Sequence, residues 1–574
     1  MIPRTTFTEN TVDRLALLGA WLFALFIVCH PIFDYDLHWH LANGREMVQR
    51  GQIISEEIFS YTHFGDKFEN HEWLAQIIFY LVWQTIGPYG LLGLKLLATS
   101  LVILLCFRTA RVLGSQPWPA GLVCAFAVLA GYFRYTERPE MFSLLNLALI
   151  SFILYSYRAA KISRKMLCLI PLILVAWNSL HGAVYGLVFL SVFVAGENIK
   201  HFFPALRREH SEGQNMLSTL NLCYAMAMLA MLIDPFGLRS YGEFLSILGS
   251  KASHASTTIS EYAPVTWRRE FMPFFILLAW AALLSVRHIR RIDLTQLILL
   301  FAFGAIAFKY SRAVAVASIV LVPIIASLLA INVRQAGSKL QQSLAPVILL
   351  VAAVFVAGYG YMLKFVYKSE FTLGYQLAEK PFPVGSARFV QEIGLDGNYY
   401  NSGHFGGYLA YFMTPERKIF QYNLGTVFGN SYRFITQPGE LARWNINYAF
   451  VGTDDEVTAI FPKRQWARVY RDPEAVLVLR RTAQNQALIQ QYELHFFHPL
   501  IQDDALHRMA MNAGILPRLA EEMGVHLAFL KDERIARLWA EILSANPDLR
   551  NQPRIQQLLH QALKYNSKLA QLAG

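Results

Sequence analysis

Apolar stretches of bilayer-spanning length recur along this chain as far as residue 364, and no other feature restricts its fold as much. They lie near residues 13–33, 90–108, 117–133, 140–157, 166–180, 183–199, 217–233, 271–286, 294–309, 313–331 and 345–364. A hydrocarbon core about 30 Å thick takes about 20 apolar residues in helical form, and in lipid each helix must satisfy its own backbone N–H and C=O groups. About eleven transmembrane helices are therefore expected. Composition agrees: of 574 residues, 55% are hydrophobic and only 16% charged. The mean hydropathy is +0.33, which an ordinary soluble enzyme would not show.

The formal net charge of +11 would suit nucleic acid if it formed one basic face. Instead the basic residues sit in short loops between spans: Arg108 and Arg111; Arg158, Lys161, Arg164 and Lys165; Lys200, Arg207 and Arg208; Arg287, Arg290 and Arg291; Arg334 and Lys339. Such loops face the cytoplasm by the positive-inside rule, as does the N-terminus with Arg4 and Arg14. The partner implied is a lipid bilayer and not nucleic acid. An odd number of spans puts everything after about residue 365 outside. The aromatic-rich segment HEWLAQIIFYLVWQTIG, 71–87, would break this alternation if it crossed, so it is expected to lie on the outer leaflet. No small-residue cleavage site follows 13–33, so that stretch is expected to be retained as a span. A transporter would show inverted repeats or paired broken spans, and the sequence has neither.

Sorting by side leaves acids, imidazoles and guanidiniums at outer span ends. Asp34, Asp36, His38 and His40 follow the first span in FDYDLHWH; His71 and Glu72 open the interfacial segment. Arg134, Glu137, Arg138 and Glu140 fall in RYTERPEMF, Arg239 follows a later span, and Lys309 and Arg312 lie in FKYSRA. Carboxylates at the hydrocarbon edge are costly unless paired or solvated. Their one-sided collection points to an outward-facing functional cavity; the plain alternative is that emerging loops are polar.

The stretch DYDLHWHLANGREMVQRG, with one span before it and a long external loop (34–89) after it, resembles the first-loop acidic motif of oligosaccharyltransferase catalytic subunits. It is less close to that of protein O-mannosyltransferases and the lipid A aminoarabinose transferase. The loop's end, GDKFENHEWLAQIIFY, and the second external loop, RYTERPEMF, fall where these GT-C superfamily members carry a juxtamembrane helix and a second acidic motif. The resemblance covers roughly residues 1–365. It implies a GT-C-like glycosyltransferase of a bacterial inner membrane, inverting, taking its sugar from a polyprenyl phosphate carrier on the periplasmic side. The acceptor would be an envelope glycan, lipid or protein.

Such a reaction needs a base on the acceptor and stabilisation of the leaving phosphate. The motif match makes Asp36 the candidate base or metal ligand, with Asp34 second; in an extended segment their spacing points them to opposite sides. The competing role for either is to cap the helix that follows. Glu137 and Glu140, three apart, can share a face and with Asp36 could hold a divalent cation, Mg2+ or Mn2+. A salt bridge to Arg134 or Arg138 is their commoner fate. His38 and His40 flank Trp39, where interfacial packing competes with zinc ligation. For the phosphate, Arg138, Arg239, Lys309 and Arg312 are candidates, because the guanidinium fork matches phosphate oxygens, although any one of them could simply snorkel. The resemblance adds His71 and Glu72 as substrate contacts.

Three regions follow: the GT-C-like transmembrane domain 1–364, an extracytoplasmic α/β module 365–484 and a helical tail 485–574. In the module, DGNYYNSG, RKIFQYN, INYAFVGT, WARVYRD and AVLVLRR read as strands, while GSARFVQEIGL and GHFGGYLAYFM read as helices. Its SGHFGG is too degenerate for a phosphate loop, and glycines permitting a close turn are the simpler reading. A polytopic membrane chain with a GGYL module also resembles bacterial proteins described only as glycosyltransferase-like. In the tail, 519–549 resembles one tetratricopeptide repeat, whose helices need neighbours. They could bind a partner protein or pack on their own module. All five cysteines, Cys29, Cys106, Cys124, Cys168 and Cys223, fall in or beside spans, as small apolar residues do. The alternative to an enzyme is a noncatalytic GT-C-like scaffold that binds a glycan, lipid carrier or partner in envelope assembly.

Overall fold

A computed structural model describes residues 9–206, 214–237, 263–334, 339–367, 371–375, 381–423, 443–452 and 454–572. The chain forms two compact units that do not follow its linear order. One comprises Met1–Ile32 and Glu69–Leu377; the other joins Phe33–Phe68 to Ala378–Gly574.

Every apolar stretch expected to span is helical in the first unit: Glu9–Val28, Pro88–Val112, Pro117–Ala130, Glu140–Arg158, Leu169–His181, Val184–Phe202, Gln214–Ala230, Met272–Arg287, Leu294–Lys309, Val314–Arg334 and Lys339–Tyr361. Among the described residues, five helical segments are long and apolar enough to cross a membrane: Thr11–Val28, Pro88–Val112, Glu140–Arg158, Arg269–Arg287 and Ser311–Ile331. The chain is a multi-pass helical membrane protein. Pro88 and Pro117 open their helices, where the fixed φ of proline fits and its missing N–H costs nothing. Segment 71–87 forms the helix Trp73–Ile86, 14 residues long, which at 1.5 Å per residue is about 21 Å and falls short of the hydrocarbon thickness.

Ser311–Ile331 is the central helix, with 83% of its apolar window buried against 28% for Thr11–Val28. Small residues let neighbours approach, as expected where helices pack in lipid. A Cβ on Gly121 would lie 2.8 Å from the Ala16 carbonyl oxygen. Near the end expected to face the cytoplasm, four charges knit three helices. Arg158 pairs with Glu197 (3.2 Å) and Asp293 (2.8 Å), and Lys200 lies 2.7 Å from each of the same carboxylates. The Thr295 hydroxyl donates to Glu197 at 2.9 Å. Of the cysteines, Cys106, Cys124 and Cys223 are buried, but Cys168 is exposed.

In the second unit the helix Leu37–Arg50 ends at Gly51 with φ of 66°, a left-handed stop that suits glycine. The C-terminal part carries four strands, β1 (Tyr399–Asn401), β2 (Tyr448–Val451), β3 (Trp466–Arg471) and β4 (Val476–Arg480). Their order is β1-β2-β4-β3, with β1 and β2 parallel and the other pairs antiparallel. RKIFQYN is not a strand among them. Asn401 supplies the partners a ladder would have given it: its side-chain oxygen accepts from Phe420 N (2.9 Å) and its Nδ2 donates to the Gln421 carbonyl (2.7 Å). Ile419 makes one isolated parallel bridge to Ser60.

The tail helices Leu516–Phe529, Glu533–Ala545 and Pro553–Ala562 pack around Trp539, whose indole donates to the Ala520 carbonyl at 2.9 Å. Asp532 caps the second of them through Ile535 N at 3.0 Å. The tail also packs on the α/β module. Phe529 meets Phe389 with ring centroids 5.1 Å apart, and the Tyr470 hydroxyl donates to the His526 carbonyl at 3.2 Å.

Candidate active site

Asp34 and Asp36 form a turn at the head of the Leu37–Arg50 helix, in the second unit. The Asp36 amide donates to Asp34 Oδ1 at 3.0 Å, and Asp34 is buried. Asp36 occupies the N-cap position, yet its side chain makes no capping bond. The two roles weighed for these acids therefore divide: the Asp34 carboxylate organises the turn, and that of Asp36 does not cap the helix. The next two imidazoles pack. His38 is buried among Phe382, Tyr408, Tyr411 and Phe412; burial pushes it down to about 3, against the opposing pull of Asp34, so it is neutral. His40 is buried and lies on Trp39. Beside the turn stands a residue the sequence did not single out. The His404 ring from SGHFGG meets the Tyr35 ring edge-on at 5.6 Å.

The other candidates belong to the first unit. There Glu137 binds Lys95 at 2.7 Å, both fully buried. Lys95 Nζ also lies 3.4 Å from His30 Nε2, which is 3.1 Å from the Tyr135 carbonyl oxygen. Lys95 and His30 were missed, although a lone cation inside the apolar run GLKLLATS is itself a signal. Glu140 pairs with buried Arg134. Glu72 lies 3.5 Å from His181 Nε2, whose Nδ1 is 2.8 Å from Ser143 Oγ. Trp177 donates to the same hydroxyl at 2.6 Å. His71 and Arg138 are half-buried beside these groups in sequence. Arg312 is half-buried in the turn Ser311–Ala313, and Lys309 is exposed, 5.1 Å from the Tyr310 ring centroid. Arg239 lies outside the described residues.

Among the described residues no three His, Cys, Asp or Glu side chains converge as a metal site. A divalent ion taking Glu137 or Glu140 would have to displace Lys95 or Arg134.

No family model matches the chain, and no curated protein sequence matches it. Its fold does have counterparts among solved structures. The Archaeoglobus fulgidus oligosaccharyltransferase in its apo form matches with a TM-score of 0.51 at 10% identity, over 83% of this chain and 75% of that one. The archaeal oligosaccharyltransferase AglB from the same organism, in complex with an inhibitory peptide and a dolichol-phosphate, gives 0.54 at 10% identity, over 95% and 87%. This chain has the oligosaccharyltransferase fold. The fold expected from the first-loop resemblance is thus the one it adopts. ArnT from Cupriavidus metallidurans bound to undecaprenyl phosphate is similar at 14% identity with a TM-score of 0.46, over 82% of this chain and 98% of that one.

Proposed function

We propose that the protein is a membrane glycosyltransferase that moves a sugar from a polyprenyl phosphate carrier to an envelope acceptor on the periplasmic face of a bacterial inner membrane. One observation carries the reading: a chain of oligosaccharyltransferase fold has an acidic turn, Asp34 to Asp36, after its first helix and at the head of Leu37–Arg50. Asp36 accepts the proton of the acceptor nucleophile as that atom bonds to the anomeric carbon. The bond from that carbon to the phosphate oxygen breaks with inversion, and the phosphate leaves with the bonding pair. Arg138, Arg239, Lys309 and Arg312 are the proposed phosphate contacts, since charge-assisted bonds to the leaving oxygens lower the barrier. His71 and Glu72 are the proposed substrate contacts.

The competing reading is a noncatalytic scaffold, and what favours it is the pairing of Glu137 with Lys95 and of Glu140 with Arg134. Asp36→Asn decides between them. Wild type and variant are expressed in cells lacking the protein, and surface glycans and lipid-linked intermediates are compared by mass spectrometry. A transferase loses the product and accumulates the carrier-linked sugar in the variant; unchanged profiles leave the scaffold.

A further inference from the structure

We propose that segment 263–271 and turn 308–312 of the membrane unit form a recognition surface for a lipid phosphate-monoester headgroup, with Arg268, Arg269 and Lys309 as its cations and Trp267 as its interfacial anchor. The inference rests on the carrier-phosphate role proposed for Lys309 and adds to it a loop that no motif marked. Two backbone bonds fasten the segments together: Val265 N donates to the Phe308 carbonyl at 3.2 Å, and Ser311 N to that of Ala263 at 3.0 Å. The inner side of the loop is anchored. Phe271 is buried edge-on against Phe133 with centroids 5.4 Å apart, and the Tyr359 hydroxyl donates to the Arg269 carbonyl.

Among the described residues the outer side is left open. Trp267 is 82% exposed, although its ring stacks on Phe275 at 4.3 Å. In water that indole would be a standing cost; at a bilayer surface it sits at headgroup level, where tryptophan concentrates. The cations lie next to it in the same two segments. The Arg268 side chain is 72% exposed and lies 3.8 Å from the Glu270 carboxylate. Arg269 sits over the Tyr367 ring at 4.7 Å, and Lys309 over that of Tyr310 at 5.1 Å. The two segments hold four cations (Arg268, Arg269, Lys309, Arg312) and one carboxylate, Glu270. An excess of this size suits a phosphate monoester, which carries between one and two negative charges near neutral pH, better than the single charge of a phosphodiester lipid. The rigid donor fork of arginine matches its oxygens.

The test uses the full-length chain in neutral phosphatidylcholine nanodiscs, with undecaprenyl phosphate as the probe and Trp267 emission, taken as the difference from Trp267→Phe, as the readout. Saturable binding is expected, weakened about fivefold for each cation removed in Arg268→Gln, Arg269→Gln and Lys309→Gln. Glu270→Gln, which removes the opposing charge, is expected to bind more tightly, and this arm survives if an arginine variant fails to fold. Equal competition by phosphatidylglycerol would show a general anionic surface. Equal competition by inorganic phosphate would show an ion site without the lipid. Either result, or unchanged affinity across the variants, overturns the proposal. Transfer lost in Asp36→Asn without the expected binding overturns this surface alone, whereas binding as expected with glycan profiles unchanged in Asp36→Asn overturns the proposed function alone.

Discussion

Gly407 lies against the backbone of Trp39: a Cβ built on it would fall 3.1 Å from the Trp39 amide nitrogen and 3.0 Å from the Tyr35 carbonyl oxygen. At Gly406 the space is tighter still, with the Gln421 carbonyl oxygen only 2.1 Å from such a Cβ. Gly407 thus seats the helix Gly406–Met413 on Leu37–Arg50, just behind the acidic turn, while Gly406 seats its start on Gln421 and Tyr422. Gly406→Ala forces backbone apart and is expected to cost about 1–3 kcal/mol. Gly407→Ala needs a shift of only a few tenths of an ångström and should cost less. Apparent melting temperatures of the purified chain in detergent give the order, and an unaffected Gly406→Ala would refute the close packing.

Glu57 makes the stability of the second unit depend on pH. It is fully buried, accepts from Phe59 N (2.8 Å) and Ser60 N (2.6 Å), and bonds the Tyr422 hydroxyl. Burial raises its carboxyl above the usual glutamate range, and the bonds from Tyr422, Ser60 and Phe59 only partly offset this. The folded state therefore holds the proton more tightly than the unfolded one. The corresponding stability is fully present below the unfolded value, about pH 4.3, and is lost as pH rises through the folded value. Glu57→Gln keeps an acceptor for both amides and a donor for Tyr422, so its melting temperature should vary less across that interval. Parallel profiles for the two proteins would refute the assignment. Glu57→Ala leaves both amides unsatisfied and should cost about 1–3 kcal/mol for each.

The spans were legible because hydropathy is a local property: each apolar run from 13–33 to 345–364 became a helix. The acidic turn was legible for the same reason, its residues being adjacent in sequence. What stayed hidden depends on distant partners. Nothing near residues 33–68 shows that they join the C-terminal part. Glu57 reads as one more loop acid until Tyr422 reaches it. RKIFQYN has strand composition, but the Asn401 side chain bonds Phe420 and Gln421, and Ile419 bonds the distant Phe59 and Tyr61 backbone instead of a sheet neighbour. Arg158 served only to set topology, because the carboxylates that hold it, Glu197 and Asp293, come from later helices.

Asp34 and Asp36 should separate stability from activity. Asp34→Ala removes the acceptor of the Asp36 amide and should cost about 1 kcal/mol, whereas Asp34→Asn keeps an oxygen there and should be nearly neutral. Asp36→Asn loses no capping bond and keeps the side chain's size and one carbonyl oxygen, so it should cost less than Asp34→Ala while the carrier-linked sugar accumulates. Should Asp36→Asn melt well below wild type, the carboxylate holds the fold and the activity arm loses its meaning.

Lys95 and Glu137 present the sharper case, because each is buried and each compensates the other at 2.7 Å. Lys95→Met leaves an uncompensated carboxylate and should destabilise the membrane unit by about 3–5 kcal/mol; Glu137→Gln strands the ammonium with a similar penalty. Neither single variant can assign a role, since both damage the scaffold. The double variant Lys95→Met/Glu137→Gln removes both charges and should recover most of the lost stability, with a coupling energy that a double-mutant cycle measures directly. Glycan profiling of that stable double variant then isolates chemistry from folding. Restored stability with restored transfer makes the pair a structural clamp, while restored stability with transfer still absent assigns Lys95 or Glu137 to the reaction.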